Sequence, residues 1–123
     1  MAAGKGRTEP FLEETRKAAK RIQEYVRRGT LVSVISHNDA DGISAAGIMG
    51  AALSRMNADY RLRIERWFDS EVAEEIAKEK SLTVLTDLGS GYLNVLNEKA
   101  QGKPLVILDH HQPIGEADKP FLH

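Results

Sequence analysis

Leu31-Val32-Ser33-Val34-Ile35-Ser36 runs directly into His37-Asn38-Asp39-Ala40-Asp41-Gly42, and residues 42–57 follow with apolar and small side chains at helical spacing. The first run is short, apolar and β-branched, as a buried strand is. The second is polar and ends in glycine, so the chain turns there. The helix after it is crowded with Ala45, Ala46, Gly47, Gly50, Ala51 and Ala52. Each interior glycine costs a helix roughly 1 kcal/mol relative to alanine. Such a cost is expected where a helix packs closely on a sheet.

The same alternation continues outward in both directions. Upstream, Phe11, Leu12, Thr15, Ala18, Ala19, Ile22, Tyr25 and Val26 recur at helical spacing over 11–28, with Gly29 as a stop. Residues 1–10 read as a disordered leader. Downstream, residues 60–67 alternate as a strand near a sheet edge, and Ser70 is placed to cap a helix over 71–80. Leu82-Thr83-Val84-Leu85-Thr86 is a third strand, and a short helix over 91–100 ends near Gly102. Pro104-Leu105-Val106-Ile107-Leu108 is a fourth strand, apolar enough to be buried on both faces. Strands alternating with helices specify an α/β fold: a doubly wound parallel sheet with helices on both faces. Residues 11–123 read as a single domain that stops without a helix after its fourth strand, which suggests a fragment.

Composition narrows the chemistry. Apolar content of 41% and charged content of 28% are ordinary for a globular domain. The absence of cysteine excludes disulfides and thiolate zinc sites. No apolar run approaches the ~20 residues of a membrane span, and nothing resembles a secretory signal. A cytoplasmic location is the expectation. The net charge of -1 hides a basic amino-terminal segment, with eight Lys and Arg against four Asp and Glu over residues 1–30. That balance is compatible with a polyanionic substrate, although a solvated helix face is the preferred account of it.

Ligand-type residues fall in three blocks, each just after an apolar run: His37 to Gly42, then Thr86-Asp87-Leu88-Gly89, then Asp109-His110-His111. Taken singly, each reads as a polar turn; Asp39 or Asp41 would serve as a helix cap and Asp87 as a strand-end turn. Together they read as a metal centre, because the strand ends of a parallel sheet converge on one crevice. Carboxylate and imidazole donors suit manganese or magnesium. His37, Asp39 and Asp41 can share an ion, and a carboxylate at Asp87 can bridge two. Of the adjacent histidines, one can bind metal while the other contacts substrate. An EF-hand is excluded, since with Gly42 at its sixth position the loop would have His37 and Ile48 where acids are required. The phosphate loop, the His-Glu-x-x-His helix and the Gly-x-Ser-x-Gly elbow are absent.

In this order the blocks resemble the DHH phosphoesterase family, over about residues 31–113. The first motif is matched by Ser36-His37-Asn38-Asp39-Ala40-Asp41-Gly42-Ile43-Ser44-Ala45, the second by Asp87 with Gly89, and the third by Asp109-His110-His111. Asp-Ala-Asp-Gly with Asp-His-His-Gln-Pro is similar to the RecJ-like single-strand nucleases, especially the archaeal ones, some of which associate with the GINS replication complex. The resemblance implies a two-metal phosphodiester hydrolysis of single-stranded DNA or RNA with Mn2+ or Mg2+. His37 and Asp39 would hold one ion, Asp41 and His110 the second, and Asp87 would bridge them. His111 would face the substrate phosphate, and Asp109 would orient the histidines. The family's further aspartate motif and its carboxy-terminal associated domain have no match in the chain; Asp118 is not promoted to that ligand.

Two other functions stay open at this level. One is a DHH phosphoesterase for small substrates: short oligonucleotides, cyclic dinucleotides, phosphoadenosine phosphate or pyrophosphate. The other is a docking module for a replication or repair complex, or for a second copy, using apolar surface left uncovered. Arg66-Trp67-Phe68 is a candidate contact for that role, with a core position expected for Trp67 or Phe68.

Overall fold

A computed structural model describes residues 2–117 and 122–123. Four strands form one parallel sheet: β1 (Val32–His37), β2 (Tyr60–Glu65), β3 (Leu82–Thr86) and β4 (Leu105–Leu108), in the order β2-β1-β3-β4. Helices α2 (Ala40–Arg55), α3 (Ser70–Lys78) and α4 (Leu93–Lys99) connect them, and α1 (Ala2–Arg27) precedes them. A single 3-10 turn, Ser90–Tyr92, leads into α4.

The period of two along each strand divides the core into two layers. Ile35, Leu85, Leu105 and Ile107 face α3 and α4, where Val72, Ala73, Ile76, Leu93 and Leu96 meet them. Val32, Val34, Leu82, Val84 and Val106 face the opposite way, onto Ala18 and Ile22 of α1 and Leu53 of α2. Helices therefore cover both faces of a doubly wound sheet. β4 is buried as expected, although it is last in the strand order, because the chain returns and Leu122 bridges to Val106. At the opposite edge β2 carries ion pairs, Arg61 with Glu79 and Arg63 with Glu65 and Glu75. Charges on an edge strand discourage pairing with other chains.

Several local expectations change. α1 begins at Ala2 and runs through Pro10, taking in residues that the sequence reads as a leader; Met1 and Asp118 lie outside the described residues. The segment also holds Gly4, Gly6 and Pro10, all poor helix formers, so local propensity does not account for this extension. Of α1's apolar positions, Ala18 and Ile22 are buried, while Phe11 stays 68% exposed. α3 is capped by Asp69, whose side chain accepts from the Val72 amide at 3.1 Å, and not by Ser70, which is already helical. The two mid-helix glycines of α2 have different surroundings. A Cβ at Gly50 would lie 3.1 Å from Leu62, so close packing accounts for it, whereas Gly47 faces open space.

Candidate metal centre

Parallel register assembles the centre. Ser36 pairs with Thr86, and Thr86 with Leu108. The residues that follow them, His37, Asp87 and Asp109, therefore emerge side by side at the carboxyl edge of three adjacent strands, about 4.8 Å apart per strand. β1 and β3 are neighbours in space whose connections lead to opposite faces of the sheet, α2 to one and α4 to the other. That is the switch point where open α/β sheets bind ligands.

The first block is held by its own turn. Asp39 is the N-cap of α2: its Oδ1 accepts from the Gly42 amide at 2.8 Å, and its Oδ2 lies 2.8 Å from His37 Nδ1. The capping and ligand readings of Asp39 are thus compatible, one oxygen for each. The Gly42 amide, with the neighbouring imidazole adding to it against some burial, holds the Asp39 carboxyl below its ordinary range. Gly42 must be glycine, because a Cβ there would stand 1.9 Å from the His37 carbonyl oxygen. Ser36, fully buried, has the carbonyl oxygens of Gly42 and Thr86 at 2.6 Å and 2.9 Å from Oγ, so its one hydroxyl proton is shared between them. It ties the α2 turn to the end of β3.

Asp87 sits at φ 59, in the left-handed region that aspartate enters more readily than most residues, at a strand-end turn. Its amide donates to the Leu108 carbonyl at 2.9 Å. Oδ1 lies 2.7 Å from His110 Nε2, while Oδ2 is buried with no hydrogen-bond partner. Burial, and then the Asp39 carboxylate beside it, push the Asp87 carboxyl up against the opposing pull of His110.

Asp109, with its side chain buried, organises the third block. Its Oδ2 accepts from the Ser90 amide at 3.0 Å; its Oδ1 accepts from the His110 amide at 2.9 Å and lies 2.5 Å from His111 Nδ1. Burial acts to raise its carboxyl, but the Ser90 amide and the His111 ring outweigh it and hold the group low. The same contact raises the His111 imidazole above its usual 6.5. The two histidines do not diverge as they would on an extended chain. The bonds to Asp109 curl the backbone, and the ring centroids lie 4.6 Å apart.

Two groups of donor atoms result, each within 4.8 Å: His37, Asp39 and Asp87; and Asp87, Asp109, His110 and His111. Asp87 belongs to both. Asp41 belongs to neither; it stands exposed in the first turn of α2, with Oδ2 3.8 Å from His110 Nε2. Asp109, read from the sequence as an orienting group, offers a ligand atom as well. These donors fit a divalent cation. Three carboxylates and three imidazoles converge without thiolates, and the buried Oδ2 of Asp87 lacks the partner that a buried carboxylate oxygen requires. The sequence reading assigned no role to Ser36 or Ser90. Ser36 lay inside the quoted motif, whereas the Ser90–Asp109 bond joins positions with no local signal between them.

The family model for the DHH family, N-terminal domain, matches residues 31–122. This chain belongs to that family. It is 34% identical over 108 residues to an uncharacterized protein of Methanocaldococcus jannaschii, covering 84% of this chain and 24% of that one. It is 25% identical over 114 residues to the single-stranded-DNA-specific exonuclease RecJ of Bacillus subtilis, covering 85% and 14%. Among solved structures, RecJ of Thermus thermophilus in complex with Mn2+ superposes with a TM-score of 0.72 at 28% identity, over 89% of this chain and 16% of that one. A manganese-bound exonuclease RecJ gives 0.73 at 28% identity, over 87% and 29%. The chain thus spans about a quarter or less of its curated relatives. Among the described residues, no helix is long and apolar enough to cross a membrane.

Proposed function

We propose that residues 11–123 form the amino-terminal part of a DHH catalytic domain whose parent protein hydrolyses phosphodiesters of single-stranded DNA or RNA. The observation that carries this reading is Asp87, shared by both donor groups with one buried oxygen unpartnered. The manganese-bound RecJ structures support the choice of ion. His37 and Asp39 would hold one Mn2+ or Mg2+, His110 the second with Asp41 at its margin, and Asp87 would be shared between them. When bound, such a pair supplies Lewis-acid charge at the transferring phosphoryl group. Asp109 fixes the His111 ring and the His110 amide, and His111 stabilises charge developing on the phosphate. A cytoplasmic setting accompanies this reading.

The test is calorimetric titration of the chain with Mn2+, with Asp87→Ala as control, followed by hydrolysis of end-labelled single-stranded oligonucleotides. Two bound ions in the wild type, both weakened in the variant, are expected. Binding that Asp87→Ala leaves unchanged would overturn the bridging role.

One observation favours a second reading, a docking surface. A groove of about 1050 Å³ lies between α1, α2 and the end of β4; it is bordered by Phe11 and Ile48, which are 68% and 73% exposed, and it reaches Asp87, Asp109, His110 and His111 of the candidate centre. Apolar surface of this kind marks interaction sites, here for a replication partner or a second copy. Sedimentation of the chain as a monomer at high concentration would remove self-association.

A further inference from the structure

Beside the metal centre lies a smaller cavity of about 280 Å³. Its lining includes His37, Asp87 and His111 on the one hand and Trp67 and Tyr92 on the other. The two sets have different chemistry. The first is a set of imidazoles and a carboxylate suited to cations and phosphate. The second is aromatic. Trp67 follows β2 and is 70% exposed, although its neighbour Phe68 is buried against Tyr92, with ring centroids 5.3 Å apart. Phe68 thus supplies the core contact for this loop, and burial gives no account of the indole. The Arg66 guanidinium lies 5.4 Å from the indole centroid, a cation–π contact that steadies the ring.

We propose that Trp67 is a stacking platform for the nucleobase next to the phosphate held at the metal centre. This deepens the phosphodiesterase reading and rests on it. An anion-handling part and an aromatic part in one cavity match a nucleotide, which carries a phosphate and a π-face on one rigid unit. Pyrophosphate has no group for the aromatic part. The cavity falls at the lower end of ligand pockets, near ~300 Å³, so it takes one nucleoside unit. Stacking is tolerant of base identity because every base has a π-face. The substrates selected are therefore nucleotide-bearing and not restricted to one sequence.

Trp67 is the sole tryptophan of the chain, so its emission reports on the site directly. The probes are a phosphorothioate-linked deoxyadenosine trimer and an abasic trimer with the same backbone, each titrated with Mg2+ present. The base-bearing trimer should quench Trp67 emission and the abasic trimer should not. By calorimetry, Trp67→Ala should weaken the base-bearing trimer by about 5- to 150-fold, the equivalent of ~1–3 kcal/mol of stacking per base. It should leave the abasic trimer unchanged, and Trp67→Phe should restore most of the loss. Equal quenching by both trimers, or equal affinity of Trp67→Ala and wild type for the base-bearing one, would overturn the platform. In that case metal-dependent hydrolysis of the phosphodiester trimer would still uphold the nuclease reading. Base-dependent quenching without hydrolysis of any oligonucleotide would do the reverse.

Discussion

Replacing Gly42 by alanine separates a local argument from a tertiary one. Gly42 lies in the first turn of α2, and helix propensity alone would have alanine stabilise the helix by about 1 kcal/mol. Its surroundings oppose that. The new Cβ would stand 1.9 Å from the His37 carbonyl oxygen, 2.6 Å from its carbon and 2.9 Å from its Cα, all of them backbone atoms that cannot rotate away. Contacts below 3.0 Å essentially do not occur, so the turn must open by about 1.1 Å (3.0 minus 1.9). Overpacking of this sort costs about 1–3 kcal/mol. The opening pulls Gly42 from Asp39 and from Ser36. Loss of a helix cap costs about 1 kcal/mol, and loss of a buried hydrogen bond about 1–3 kcal/mol. After subtraction of the propensity gain, and because the terms are not fully additive, a net destabilisation of about 2–5 kcal/mol is expected. Urea unfolding measures it. Gly47→Ala is the internal control: nothing lies within 4 Å of its Cβ, so it should gain about 0.5–1 kcal/mol. Because the opening also displaces Asp39, Mn2+ affinity by calorimetry should fall about 10- to 100-fold in Gly42→Ala, as when support behind a ligand is removed. A Gly42→Ala variant with the wild-type urea midpoint and slope would refute the reasoning.

Other predictions concern the centre itself. Asp87→Asn should raise the melting temperature of the metal-free protein at neutral pH while weakening Mn2+ binding. The folded-state pKa of Asp87 is raised, so its contribution to stability is present below the ordinary 3.8 and lost as pH rises through the folded value; a variant less stable than wild type in chelator would contradict this. Ser36→Ala should cost about 1–3 kcal/mol in urea unfolding, since it leaves a buried carbonyl without its donor; a cost below ~0.5 kcal/mol would show that water or a neighbour replaces the hydroxyl. In the metal-free protein the His111 ring should titrate above 6.5 by proton NMR, and Asp109→Asn should return it toward that value. The sign follows from the direction: stability from His111 is full below 6.5 and lost as pH rises through its folded pKa, whereas that from Asp109 is lost as pH falls below its ordinary 3.8.

The alternation of elements was legible because each element's period is a local property. β-branched runs at 31–36, 82–86 and 104–108 and the helical spacing of 11–28 and 42–57 need no distant partner to be read. The donor blocks were legible for the same reason: each follows its strand within a few residues, and parallel strands bring such positions to one edge. Local signals failed where two readings shared a segment. Asp69 and Ser70 are both capping residues, and choosing between them took the backbone. Trp67 and Phe68 are both apolar, and only the packing of α4's entry turn decided that Phe68 goes inside.

What sequence alone determined here is the fold class; it also named the candidate donors His37, Asp39, Asp41, Asp87, Asp109, His110 and His111. What tertiary structure decided is their arrangement. The order β2-β1-β3-β4 places His37 beside Asp87 and Asp87 beside Asp109. It makes Asp87 the member common to both donor groups, leaves its second oxygen buried and unpartnered, and sets Asp41 at the margin. It also joins Ser90 to Asp109 and opens the indole of Trp67 onto the same cavity. Strand order and burial depend on contacts between residues distant in the chain. Local periodicity carries which face of an element is apolar, but not which element that face will meet.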